Sequence, residues 1–348
     1  MPARWRLDTG LIRRRAMSLP IDHHAVRVSA EDLIGLRARA ERLRLQRVAS
    51  ARAAHTGAHR SRFRGRGMDY RESRHYQAGD DIRTMDWRIT ARAGHPHIKV
   101  FDEERERPVV VLVDFGPSMF FASRGVFKSV QAARLAALIG WSAVGRGDRV
   151  GALLFNGGHT ELAPRGGRRG QMRLIRALVD AGDPARRIQP AAAMPAELHG
   201  LGDALVRLRR VARPGSLVFL LSDFYRMDAD TGRHLSHLAR HNDLLAVQLL
   251  DALELAPPPP GRYAISDGRR RGVFDAVDVR ERKRWRRHFD AQQAAVRALT
   301  AGNGVPLVPC LTDADPVRVL MALLRTRAQS GSPSGPPPSA LTPEAGAA

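Results

Sequence analysis

The run VVVLVDFGPSMFF, Val109 to Phe121, carries an unbroken apolar stretch into Asp114, turns at Gly116-Pro117 and presents Ser118. A second apolar run, SLVFLLSD, ends in Ser222-Asp223. Carboxylate and hydroxyl oxygens at strand ends suit either of two tasks. They can ligate a hard cation such as Mg²⁺, which takes oxygen ligands, or they can accept backbone N–H bonds and cap the following turn. Spacing admits both, and turn capping is the simpler.

A second constellation lies upstream in AGDDIRTMDWRITAR, residues 78–92. Gly79 permits a turn, and Asp80 is placed to cap a short helix in which Ile82, Met85 and Ile89 share the apolar face. Arg83, Asp86 and Arg88 then fall largely on other faces, with Trp87 along the edge. DEERERP adds Glu104 and Arg105 just before the first core strand. Asp80, Asp81 or Glu104 could act as a general base, which needs a shifted pKa and a pocket. The preferred reading is an arginine–carboxylate network, partly buried, that ties this region to the domain behind it. No nucleophile elbow, Walker A loop or His/Cys metal cluster occurs in the chain.

Positioning these groups calls for a scaffold, and the chain supplies short β-rich runs alternating with helical periods. VVVLVD precedes a helix around residues 126–144, RVGALLF one near 171–180, and SLVFLLSD follows a helix over 201–211. A helix near 231–241, the strand LLAVQLLD, a long helix from Val279, the strand VPLVPCL and a helix from Pro316 complete the series. The long helix sets Val279, Trp285, Phe289, Val296 and Leu299 toward the core. Such alternation predicts a mainly parallel sheet covered on both faces, with ligands at the carboxyl ends of its strands. Before it, Ser29 caps an amphipathic helix carrying Leu33, Leu36, Leu43 and Val48, expected to pack on the body or on a partner. A hairpin is expected over residues 261–277, turning at Asp267-Gly268.

The strand ending in Asp114, the run GDRVGALLF and the later strand ending in Ser222-Asp223 resemble a von Willebrand factor A domain. The stretch HYQAGDDIRTMDWRITARAGHPHIKVFDEERERP is similar to the signature of the bacterial domain-of-unknown-function 58 (DUF 58) family, and the resemblance covers about residues 55–225. It implies a von Willebrand A-like doubly wound α/β sheet with helices on both faces, behind an N-terminal helical and loop region. It also implies a protein often encoded beside a MoxR-type AAA+ ATPase and without established enzyme activity. A-domains that bind Mg²⁺ use an aspartate and two hydroxyls on one loop, a threonine on a second and an aspartate on a third. By that correspondence Asp114, Ser118 and Asp223 would be the metal ligands. Gly116 stands where the middle hydroxyl belongs, and no serine or threonine occurs between Glu161 and Gly215. The resemblance therefore implies a degenerate adhesion-type metal site, needing no cofactor and holding Mg²⁺ in roughly the millimolar range or not at all. Gly116→Ser is expected to strengthen it.

With 348 residues, 43% of them hydrophobic, the chain has ample core material. Its net charge of +22 comes almost wholly from arginine, with lysine only at Lys99, Lys128 and Lys283, a pattern that a GC-rich genome produces without selection for binding. Residues 1–66 hold sixteen arginines against five carboxylates, so half the net charge precedes the core. No zinc finger, aromatic RNA-binding sheet or helix-turn-helix accompanies it, and nucleic acid is not the expected partner. No apolar run approaches the roughly 20 residues of a membrane span. Lone Cys310 and the lack of a secretory h-region make the cytoplasm the expected location. The expected organisation is a disordered N-terminus over 1–28, with Met17 an alternative start, and a helix-plus-signature region over 29–107. The A-like domain follows over 108–327, and a disordered Pro/Ser/Gly tail over 328–348. The function expected is a protein–protein adaptor working with a MoxR-type ATPase. A hydrolase using the Asp/Glu/Arg cluster and a nucleic-acid binder using the basic N-terminus are the alternatives.

Overall fold

The computed structural model describes residues 23–41, 43, 68–103, 107–155, 158–187, 200–266 and 271–330. In chain order these hold α1 His23–Val26, α2 Ala30–Gly35, α3 Arg37–Ala40, β1 Met68–His75, α4 Trp87–Ala93, β2 His97–Glu103, β3 Pro108–Asp114 and α5 Lys128–Gly145. Then come β4 Arg149–Phe155, β5 His159–Arg165, α6 Gly167–Ala181, α7 Leu201–Val211, β6 Leu217–Ser222, α8 Thr231–His241, β7 Asp243–Leu250 and α9 Ala252–Leu255. The hairpin β8 Arg262–Ser266 and β9 Arg271–Asp275, α10 Val279–Gly302, β10 Leu307–Leu311 and α11 Pro316–Ser330 close the series.

Two compact units emerge, one of residues 54–107 and a larger one of residues 1–53 with 108–348. The larger is built on a six-stranded sheet of order β10-β7-β6-β3-β4-β5. All pairs are parallel except β4 with β5. Strand β3 is central, Val111 lying opposite Ala152 of β4 and Phe219 of β6. Its side chains alternate between two cores. Val109, Val111 and Val113 pack with α5, α6 and α11, whereas Val110 and Leu112 pack with α7, α8 and Val296 of α10. A strand buried on both faces reads as an unbroken apolar run, which is why it is legible in sequence. Strand β5 is not: it lies at the sheet edge with mostly exposed side chains and contains Pro164, which an edge tolerates.

The helical segment after Ser29 belongs to the larger unit, so the expected boundary that joined residues 29–107 is redrawn. Ser29 Oγ accepts from Asp32 N at 3.0 Å, the expected cap. Leu33, Leu36 and Leu43 are buried, and Trp141 Nε1 and Ser142 Oγ of α5 donate to the Leu33 and Leu43 carbonyls at 2.9 and 2.7 Å. The segment therefore covers the sheet's own helix layer. Val48, the N-terminal 22 residues, the 331–348 tail and the Asp267-Gly268 turn fall outside the described residues. On α10, Val296 is buried as expected, but Val279 is exposed.

The smaller unit is an antiparallel ribbon of β1 and β2 with a register shift between Tyr70 and Glu72. The continuous helix expected after Asp80 is broken in two. Residues Ile82–Thr84 form one 3-10 turn, capped by Asp81 and not by Asp80. Met85 is extended and bridges to Ile98, and α4 then starts afresh with Asp86 as its cap. The strand contact wins over helical continuity here, and Ile82, expected on an apolar face, is exposed.

Candidate functional site

The carboxyl ends of β3, β6 and β7 are adjacent in the sheet, and each ends beside an acidic residue: Asp114, Asp223 and Asp251. All three are buried. Asp114 makes an internal cap: Gly116 N donates to its Oδ1 at 2.6 Å, and Ser222 Oγ donates to its Oδ2 at 2.7 Å. Ser222 Oγ in turn accepts from Phe224 N at 2.8 Å. Asp223 accepts from Tyr225 N at 3.0 Å through Oδ1. Between these turns Phe224 holds a φ of 58°, in the left-handed region and without the freedom of a glycine. That conformation costs about 1–2 kcal/mol for a residue with a Cβ. That left-handed turn accompanies the Tyr225 amide's return onto Asp223.

The remaining oxygen of Asp223 meets a lysine. Lys128, the first residue of α5 and 1% exposed, donates from Nζ to Asp223 Oδ2 at 2.9 Å and to Glu254 Oε1 at 2.7 Å. Glu254 is fixed by a capping box: Asp251 N donates to its Oε2 at 2.9 Å, and Asp251 Oδ1 accepts from Leu253 N. Asp251 also takes Ser123 N and Oγ at 2.7 and 2.6 Å and Thr312 Oγ1 at 3.2 Å, tying together the loops after β3, β7 and β10. Asp223 follows β6 and Glu254 lies on α9 after β7, and the lysine bridges them from the start of α5, the helix after β3.

Electrostatics follow from this packing. Burial, with the Asp223 charge adding to it, pushes the Asp114 carboxyl from 3.8 up to about 7, against the Ser222 and Gly116 hydrogen bonds and Arg226. Burial disfavours a charged Lys128, but Asp223 and Glu254 outweigh it and raise the lysine above its ordinary value. Burial raises the Glu254 carboxyl even against Lys128. Cys310 is buried and its thiol is pushed up to about 11, so it stays protonated.

Of the expected metal ligands, Asp114 and Asp223 stand at the ends of neighbouring strands, and Ser222, next to Asp223 in the chain, bonds Asp114. Ser118 Oγ is buried without a hydrogen-bond partner. The donor set does not fit a divalent ion. Every carboxylate oxygen of Asp114 and Asp223 already accepts a hydrogen bond, and an ammonium sits on Asp223. Mg²⁺ demands several free oxygens in near-octahedral array. Ser118 is the one motif oxygen left open. Among the described residues no group of three or more His, Cys, Asp or Glu side chains is arranged to hold a metal. At position 116 a Cβ would lie 2.9 Å from Asp114 Oδ1, so Gly116→Ser would have to shift that carboxylate.

Lys128, Glu254 and Asp251 escaped the sequence reading, although signals existed. Lys128 is one of three lysines in an arginine-rich chain and stands inside the apolar stretch VFKSVQAA, and Asp251-Ala-Leu-Glu254 has capping-box spacing.

In the smaller unit, Asp80 pairs with Arg74 at 2.7 Å and accepts from Gln77 N at 2.9 Å. Asp86 Oδ1 caps α4 through Arg88 N and Ile89 N, both at 3.2 Å, and its Oδ2 accepts from Ser73 Oγ at 3.0 Å. Burial opposes ionisation of Asp86, but the Ile89 amide, the Ser73 hydroxyl and Lys99 hold its carboxyl below the usual range. Trp87 and Arg88 are exposed, and Glu104 and Arg105 lie outside the described residues.

The mainly parallel sheet, with helices on both faces and aspartates at its carboxyl edge, defines a von Willebrand A-like class. The chain belongs to the family described as protein of unknown function DUF58, which matches residues 72–299. It is 32% identical over 262 residues to the uncharacterized protein Rv1480 of Mycobacterium tuberculosis, covering 74% of this chain and 79% of that one. The uncharacterized protein Mb1516 of Mycobacterium bovis matches equally. Among solved structures, the conserved hypothetical protein BatB from Bacteroides thetaiotaomicron aligns at 14% identity and a TM-score of 0.39, over 64% of this chain and 98% of that one. A von Willebrand factor type A protein from Catenulispora acidiphila aligns at 11% identity and 0.34, over 68% and 44%. These structural likenesses are weak, and the fold class rests on the sheet itself.

Proposed function

We propose that this chain is an adaptor whose carboxyl edge docks a protein partner, a MoxR-type AAA+ ATPase, in the cytoplasmic assembly or remodelling of other proteins. One observation carries the reading. The loops after β3, β6 and β7 expose Phe121, Tyr225 and Leu255 to 43%, 43% and 45%. Single exposed apolar side chains are ordinary, but these three stand on neighbouring loops at the edge where such sheets bind ligands. Beneath them the polar groups are engaged with one another, which suits a surface that offers shape and apolar area. Aromatic and aliphatic anchors of this kind dominate binding energy at protein interfaces.

The test is capture of a purified MoxR-type ATPase by the full chain. Wild type is expected to retain it, and Phe121→Asp combined with Leu255→Asp to weaken retention by about tenfold or more without lowering the melting temperature. Capture unchanged in that variant, or no capture by wild type, removes the reading.

A further inference from the structure

Domains of this fold that bind a divalent ion hold it at the carboxyl edge of the sheet, and here that edge contains a lysine. From its geometry we infer that the Lys128 ammonium is the resident cation of this edge, neutralising Asp223 and Glu254 with no need of a divalent ion. The assignment is independent of the partner proposed above.

Three observations carry it. Lys128 Nζ bridges two carboxylates, Asp223 beside the end of β6 at 2.9 Å and Glu254 of α9 at 2.7 Å, as a bound cation would. The arrangement is built and not incidental, because the second oxygen of each carboxylate has its own fixed donor. Tyr225 N holds the other oxygen of Asp223, and Asp251 N the other oxygen of Glu254. Asp251 is itself held by Ser123 and Thr312. Finally, the ammonium is only 1% exposed, so the charge cannot leave for solvent without dismantling the loops.

The same observations explain why oxygen ligands are missing. An ammonium carries its own hydrogen-bond donors and asks only for acceptors. A divalent ion asks for a shell of oxygens that includes hydroxyls or waters. Once a lysine supplies the charge, a hydroxyl at position 116 has no ligand role, and a Cβ there would press on Asp114 Oδ1 at 2.9 Å. Replacing a metal by a tethered lysine also makes the edge independent of the metal supply.

Calorimetric titration of the full chain with Mg²⁺ and Mn²⁺, with melting in EDTA, tests the assignment. Wild type is expected to give no saturable micromolar heat and to melt alike with and without chelator. Lys128→Ala vacates the position beside Asp223 and Glu254. It is expected to melt well below wild type and to regain part of the loss, or its fold, when Mn²⁺ is added. Micromolar binding by wild type overturns the inference. So does a folded Lys128→Ala that melts like wild type or that Mn²⁺ does not help. If the variant stays unfolded in Mn²⁺, the wild-type titration alone decides. Loss of ATPase capture with these results intact would remove the adaptor reading and leave the cation assignment standing.

Discussion

Asp223 in the larger unit and Asp86 in the smaller one do the same local job. Each accepts a backbone N–H from two residues ahead and each is nearly enclosed. Their second oxygens differ. Asp223 meets a buried ammonium, whereas Asp86 meets the neutral hydroxyl of Ser73. The cause is depth. Asp223 follows a strand with cores on both sides, while Asp86 caps a short helix beside a two-stranded ribbon. A carboxylate under a deep core must find its partners in the protein, because water is not there to supply them: an ammonium for Asp223, amides and hydroxyls for the equally buried Asp251. On a thin ribbon, local turns enclose the aspartate and a hydroxyl suffices.

The largest effect expected is at the centre of the sheet. Val111→Asp places a charge between two covered faces, at a cost comparable to the roughly 5–15 kcal/mol that holds a domain together. Circular dichroism should show an unfolded larger unit, and a melt within a degree or two of wild type would break the contrast in depth.

Next in size is a pH effect at Asp114. Its folded carboxyl binds a proton more tightly than the unfolded one, raised from 3.8 to about 7 by burial and Asp223. The stabilisation is therefore whole below pH 3.8 and is lost as pH climbs toward 7, an amount on the order of a few kcal/mol. Asp114→Asn keeps the shape and removes the titration. Asp223, Glu254, Lys128 and Arg226 remain around it, so denaturant curves should differ from wild type by a slope confined to that interval. Parallel pH profiles for the two proteins would refute the buried assignment.

The smallest effect belongs to the ribbon. Asp86→Ala removes the cap of α4 and the partner of Ser73, and hydrogen exchange should quicken across residues 86–93 while β3 and β6 keep their protection. Exchange that rises equally in the sheet would show that the two units do not unfold separately.

Much of the fold was legible because it is written in local periodicity. The helices Leu201–Val211 and Thr231–His241, the Ser29 cap and the apolar runs of β3, β4, β6 and β7 need only neighbours along the chain to be recognised. So did the position of Asp114 and Asp223, since a parallel sheet brings strand ends to one edge. What escaped depends on contacts distant in sequence. The edge strand β5 has no continuous apolar run, and Met85 leaves the helix only because Ile98 is opposite. Lys128 looks like any helix-start lysine until folding carries it to Asp223 and Glu254, 95 and 126 residues away. The amino-acid sequence by itself determined which residues end the strands and which hydroxyls a metal site would lack. Only the tertiary structure decided what neutralises those ends, because burial, and with it the need for a counter-charge, exists only once distant segments have packed together.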